Sequence, residues 1–265
     1  ALGLVIGAPL GALIIWLYCA LGDYFWLAAW AVMSGFSIFM TMFAATWIMP
    51  LFNKFTPLEE GELRTAIEAY CDQVGFKLNR LFVMDGSKRS AKSNAFFSGL
   101  GPKKTIALYD TLIEQMETEE IVAVLAHEIG HYKKQHTRQS LVLSVLQSGL
   151  MLFLLGLFVR IPAFSMALGA AEGSFHVGII AFGIIFSPIS TVIGIAMNAL
   201  SRKNEFEADA YARDTYDGQP LASGLKKLTA ENLGNLKPHP WYVFVHYSHP
   251  PVLKRLGRLS LGSRG

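Results

Sequence analysis

Hydrophobic positions in this chain gather into four long runs that are nearly free of charge, at residues 2–21, 24–49, 141–159 and 177–200. Each is long enough to cross a hydrocarbon core as a helix rising about 1.5 Å per residue. Only Gly22 and Asp23 separate the first two, which predicts a tight helical hairpin. Buried helices of a soluble protein do not account for the runs, because a small core needs far less uncharged length. Between the second and third runs the pattern changes, and residues 51–140 mix short apolar stretches with charge and turn residues. Pro57 with Glu59, Glu60 and Glu62 opens a helical pattern that reaches Val74 and is closed by Gly75. Stretches 81–84, 94–97 and 105–109 predict short strands, set apart by Asp85-Gly86-Ser87 and Gly101-Pro102, which together read as a small meander. Thr118, followed by Glu119 and Glu120, predicts the N-cap of a helix running to about Gln135.

The pattern therefore predicts a mainly α integral membrane protein with four transmembrane helices and a polar region carrying a small β-meander. Its parts are a hairpin at 1–50, a polar insert at 51–140, a second pair of spans at 141–200 and a C-terminal helical part at 201–265. Composition agrees: the 265 residues are 52% hydrophobic and 16% charged, which is the balance of a chain in contact with lipid. A net charge of +3, with bases and acids interspersed, excludes a nucleic-acid footprint. The bases serve orientation instead. Lys54, Lys133, Lys134, Arg138, Arg202 and Lys203 flank one side of the spans, whereas Asp23, Arg160 and Glu172 occupy the other. Positive-inside then puts both polar regions on the cytoplasmic side, in a bacterial inner membrane or an endoplasmic reticulum. The first run lacks a basic start and a small-residue cleavage site, so it is not read as a signal peptide, and the start without Met reads as a trimmed N-terminus. Cys19 and Cys71 are too few for a disulfide framework or a thiolate metal site, so any metal must be held by His and carboxylates.

Residues 126–131, Ala-His-Glu-Ile-Gly-His, fit H-E-x-x-H inside a predicted helix. Positions i and i+4 share one helix face, so the imidazoles of His127 and His131 can converge on one Zn²⁺ per chain. Glu128 then lies beside the metal, where its carboxylate can take a proton from an activated water and pass it to a leaving amine. That is the pattern of a zincin-like peptidase. A catalytic zinc keeps three protein ligands and an open position. A third histidine at the metzincin spacing is excluded because Lys134 and Thr137 occupy the Gly and His positions. The favoured source is Asn204-Glu205-Phe206-Glu207-Ala208-Asp209, where Glu205 and Asp209 are again i and i+4. One of them can ligate the metal while the other accepts the free N–H of a ligand imidazole, and spacing does not choose between them.

Further stretches extend the match: Pro50-Leu51-Phe52-Asn53-Lys54-Phe55-Thr56-Pro57-Leu58, Asp85-Gly86-Ser87-Lys88-Arg89-Ser90, Ser93-Asn94-Ala95, residues 204–212 and His246-Tyr247-Ser248-His249-Pro250-Pro251. With these the chain resembles the Ste24-type CAAX prenyl proteases of the M48 peptidase group, and more distantly the HtpX-like quality-control proteases. The resemblance implies that Glu205 is the third ligand and that Asp209 supports a ligand histidine. It also implies that Asn94 and His249 face the scissile bond, Asn94 holding substrate and His249 stabilising the oxyanion. Ste24-type enzymes are similar to a seven-helix barrel around a chamber, whereas four spans are legible here.

Either His246 or His249 could be the active-site histidine; the resemblance favours His249 and leaves His246 a plain hydrogen-bonding role, while His136, His176 and His239 read as ordinary surface or loop groups and Lys88, Arg89 and Lys92 as solvated bases. The strand at 94–97 could offer its edge to an extended substrate. The leading expectation is a membrane zinc endopeptidase cutting near the C-terminus of peptide or protein substrates, prenylated C-a-a-X proteins by the resemblance, with the bilayer as its other partner. The alternative is an HtpX-like protease degrading damaged membrane proteins. A non-enzymatic zinc-binding membrane protein is the third, and Glu128 argues against it because such a site needs no carboxylate at the base position.

Overall fold

A computed structural model describes residues 2–88, 95–98 and 104–260. The predicted strand residue Asn94, with Arg89 and Lys92, lies outside them. In chain order the helices are α1 (Leu2–Leu21), α2 (Phe25–Phe43), α3 (Glu62–Gln73), α4 (Asp110–Gln115), α5 (Thr118–Lys133), α6 (His136–Phe158), α7 (Pro162–Ala167), α8 (Phe175–Thr215), α9 (Gly218–Glu231), α10 (Pro240–His246) and α11 (Val252–Ser260). The strands are β1 (Phe55–Pro57), β2 (Arg80–Met84), β3 (Ala95–Ser98) and β4 (Thr105–Tyr109).

The chain forms two compact units, one from residues up to Met40 with Gln139–Val192, the other from Thr41–Arg138 with Ile193 onward. The first is mainly apolar helix. Its core joins Leu17, Phe25, Ala29, Leu152, Leu155 and Phe182, and much of its outer surface is apolar and exposed, as with Leu4, Ile15, Leu146 and Ile184. Exposed large apolar side chains at this density fit a lipid surround. Three helical stretches among the described residues are long and apolar enough to cross a membrane: Gly3–Phe43, His136–Phe158 and Phe175–Thr215. The first contains two of the four predicted runs, with α1 and α2 interrupted by a 3₁₀ turn at Gly22–Tyr24 where Gly22 takes φ +50°. At that turn Asp23 pairs with Arg160.

The second unit holds the sheet, in the order β1-β2-β4-β3. It is mixed, not a meander: β2 and β4 run parallel, while β1 and β3 pair antiparallel at the two edges. Pro57, expected to open a helix, instead ends β1, an edge position that tolerates a residue without an N–H. The helix starts later, at Glu62, and Gly75 turns the chain after it at φ +60°. Beneath the sheet lies α5, whose Ile121, Val122, Leu125, Ala126 and Ile129 are buried among Ile67, Tyr70, Leu108, Leu112 and Leu221. Its cap sits one residue earlier than expected. Glu117 is the N-cap, and the Glu120 carboxylate reaches back to the Glu117 N–H at 3.0 Å to complete a capping box. Lys227 and Ser223 of α9 then donate to the same carboxylate at 2.6 and 2.5 Å, tying α9 to the start of α5.

Candidate metal centre

Two helices carry the predicted ligands, and a glycine lets them meet. A Cβ on Gly130 of α5 would lie 3.1 Å from Tyr211 Cβ and 3.2 Å from the Ala208 backbone of α8, so only the bare glycine permits this approach. The close crossing sets Glu205 and Asp209 against the His127 face. His127, His131 and Glu205 each offer one ligand atom, all within 4.8 Å of one another. The two Nε2 atoms stand 3.1 Å apart, and Glu205 places Oε1 3.3 Å from His131 Nε2 and Oε2 3.6 Å from His127 Nε2. Two ligand nitrogens about 2.05 Å from one tetrahedral zinc would be separated by about 3.3 Å. The donor set therefore has the size such an ion requires.

Protonation points the same way. His127 Nδ1 lies 2.9 Å from Asp209 Oδ1, and a carboxylate can only accept, so the ring proton is on Nδ1 and Nε2 is a bare lone pair. Arg255 Nη2 also comes to 3.4 Å from Nδ1, but the shorter carboxylate contact decides the tautomer. With His127 Nε2 turned toward His131 Nε2 and the Glu205 carboxylate, a cation seated among the three would satisfy all of them. Glu205 Oε2, buried and without a hydrogen-bond partner, has the same need. Its contact with Arg255 Nη1 at 3.0 Å is ionic only. Spacing left Glu205 and Asp209 interchangeable, and the geometry separates them: Glu205 faces the bare nitrogens and Asp209 the protonated one.

Arg255 was not singled out from the sequence. It is buried on α11, donates Nε and Nη2 to Asp209 at 2.8 and 2.6 Å, and so fixes that carboxylate with a two-pronged contact. The available signal was slight, since α11 also carries Lys254 and Arg258 and only the i, i+4 spacing of Arg255 and Leu259 marks the buried face. His136 was read as a surface group, and that reading is overturned. It is 5% exposed, with Nδ1 3.0 Å from His131 Nδ1.

Glu128 is half-buried and lines a pocket of about 150 Å³ with His127, Glu205, His249 and Arg255. Leu225, Leu228, His249 and Arg255 also line a wider cleft of about 740 Å³, whose other walls include Tyr109, Pro250 and Val252. The exposed His249 ring brings Nε2 to 3.4 Å from Glu205 Oε1, with Nδ1 3.0 Å from Ser248 Oγ. His246 packs on Tyr242 instead, at 4.7 Å between rings. Lys88 pairs with Asp85 at 2.6 Å.

Two histidines and a glutamate around a metal-sized gap, with a further carboxylate at the mouth of an apolar cleft, give a geometry suited to holding a metal ion beside a proton acceptor. The model for peptidase family M48 matches residues 57–261, and that for the CAAX prenyl protease N-terminal region, five membrane helices, matches residues 1–54. The chain belongs to peptidase family M48, and it is an integral membrane protein. Family membership implies a metal.

The chain is similar to CAAX prenyl protease 1 of Saccharomyces cerevisiae, 41% identical over 80% of this chain and 51% of that one. Homologues of that protease in Oryza sativa and Homo sapiens are 39% and 34% identical, covering 97% and 95% of this chain and 61% of each relative. The crystal structure of S. mikatae Ste24p superposes with a TM-score of 0.89 at 36% identity, covering 97% of this chain and 64% of that chain. The chain thus spans about half to three-fifths of the length of these curated relatives.

Proposed function

We propose that the chain is a membrane zinc metalloendopeptidase that cleaves near the C-terminus of prenylated C-a-a-X proteins, with His127, His131 and Glu205 holding one Zn²⁺ and Asp209 supporting His127. The observation that carries the reading is the pair of bare Nε2 atoms, 3.1 Å apart, beside the buried Glu205 carboxylate. When bound, zinc supplies Lewis acidity that polarises a carbonyl and acidifies water. Glu128 takes the proton from the attacking water and delivers it to the leaving amine. His249, oriented through Ser248, donates toward the oxygen on which charge develops. Asn94 holds the substrate backbone, and the free edge of β3 accepts it as an added strand. The apolar wall of Leu225, Leu228, Pro250 and Val252 suits the aliphatic residues that a C-a-a-X sequence places beside its scissile bond. The bases at the ends of the apolar runs support a cytoplasmic site.

The test is cleavage of matched farnesylated and unmodified C-terminal peptides by the detergent-purified protein, with Glu128→Ala as blank. Lipid-dependent cleavage that is absent from the blank is expected. Equal cleavage of both peptides would move the assignment to a general membrane-protein peptidase, and cleavage by the blank would remove Glu128 as the base.

A further inference from the structure

The proton on His131 is fixed by a chain of contacts that starts two residues beyond the metal carboxylate. Glu207 Oε2 lies 3.1 Å from His136 Nε2. An ionised carboxylate only accepts, so Nε2 of His136 carries the hydrogen and its Nδ1 is the lone pair. That lone pair faces His131 Nδ1 at 3.0 Å, which must then be the donor. His131 Nε2 is left bare on the side of His127 and Glu205. A single terminal carboxylate thus sets the tautomer of two rings in series, without reference to any metal.

The local backbone is shaped to allow this. The two histidines are i and i+5, which on a continuous helix would put them on different faces. Instead α5 ends at Lys133, and Gln135 takes the left-handed region at φ +60° before α6 begins at His136. The turn folds His136 back under His131, and the rings meet edge to face at 5.1 Å between centres. The His136 side chain is 6% exposed, whereas Glu207 is 41% exposed and also faces Lys203 at 3.6 Å.

We propose that His136 is a positioning residue for the metal site, holding His131 in the tautomer and orientation that present Nε2, with Glu207 anchoring the relay. The inference rests on His131 being a ligand. It does for His131 what Asp209 does for His127, so each ligand imidazole is braced from a different element. Loss of such a partner lowers metal affinity about 10- to 100-fold.

The experiment measures zinc affinity of the full chain in detergent by chelator competition, alongside melting of the metal-free protein. His136→Phe keeps a ring but no nitrogen, and is expected to weaken zinc binding about 10- to 100-fold. His136→Asn, whose Oδ1 can accept where Nδ1 did, is expected to recover most of that loss. Glu207→Gln, exposed and isosteric, is expected to weaken binding by a smaller factor in the same direction. Parental affinity in a folded His136→Phe protein would overturn the proposal. So would equal losses in the Phe and Asn variants accompanied by equal drops in metal-free melting, because that pattern is packing alone. If His136→Phe does not fold, Glu207→Ala, which removes the acceptor at an exposed position, takes its place, and unchanged affinity there overturns the proposal. A parent that binds zinc no tighter than His131→Ala would instead sink the metal reading itself.

Discussion

Asp209 stands with one carboxylate oxygen 2.9 Å from Nδ1 of His127 and the same group clasped by Arg255, so one buried acid serves a histidine and an arginine at once. Replacing it by Ala strips both. Asp209→Ala is expected to weaken zinc binding about 10- to 100-fold. It should also cost about 3 kcal/mol of stability by leaving the buried Arg255 charge without its two-pronged partner. Chelator competition and denaturant melts of the variant check the two effects separately. A double variant that also removes Arg255 should regain part of the stability and none of the zinc affinity.

Gly130 gives a prediction about packing distance. A methyl there meets Tyr211 and Ala208 at 3.1 to 3.2 Å, and both contacts involve atoms close to or on the α8 backbone, which cannot swing away. Gly130→Ala is expected to cost about 1–3 kcal/mol and to loosen zinc binding, since the helix carrying Glu205 must retreat. Full zinc affinity in this variant would show that the crossing has slack.

Glu120 predicts a pH dependence. Burial works to raise its pKa, but hydrogen bonds from Lys227 and Ser223 outweigh it and hold the carboxyl below its usual range. A depressed pKa contributes stability that is complete above the unfolded value of about 4.3 and is lost as pH falls through the folded value. Glu120→Gln should therefore remove about 1 kcal/mol at neutral pH, a figure kept small because Lys227 is partly exposed. Melting curves of parent and variant should converge as the solution is acidified. A gap that stays constant to about pH 3 would refute the assignment.

Cys71 sits at 1% exposure in the core of the second unit, and burial pushes its thiol up to about 11. Thiolate is the reactive form, so at pH near 8 the native protein should leave Cys71 unlabelled by alkylating reagents. Labelling should follow unfolding in denaturant. Prompt modification in the native state would mean that the α3 core opens readily.

The parts of the site legible in the sequence are those whose geometry is a helix repeat. His127 with His131, and Glu205 with Asp209, each declare themselves by i, i+4 spacing. The apolar runs were equally plain, because length without charge has few other uses. What escaped depended on breaks in the repeat. His136 reaches His131 only because Gln135 leaves the right-handed region, and periodicity carries no sign of such a residue. Arg255 sits on an element 46 positions beyond its partner, where nothing local marks an arginine as buried. Likewise β2 and β4 pair in parallel although β3 comes between them in the chain and lies at the sheet edge, an order that strand-length stretches do not announce, so they looked like a meander.

Helix α8 runs without interruption from Phe175 to Thr215, joining an apolar run to the acidic residues of the metal site. Each residue of such a helix advances the azimuth by about 100°. Between Glu205 and the Ala208 backbone that meets Gly130, length cannot change. One added or deleted residue there would swing Glu205 by that angle away from the histidines while Asp209 kept its place beside His127. The phase of the ligand is thereby locked to the phase of the crossing, and this single turn acts as a gear tooth that forbids insertion.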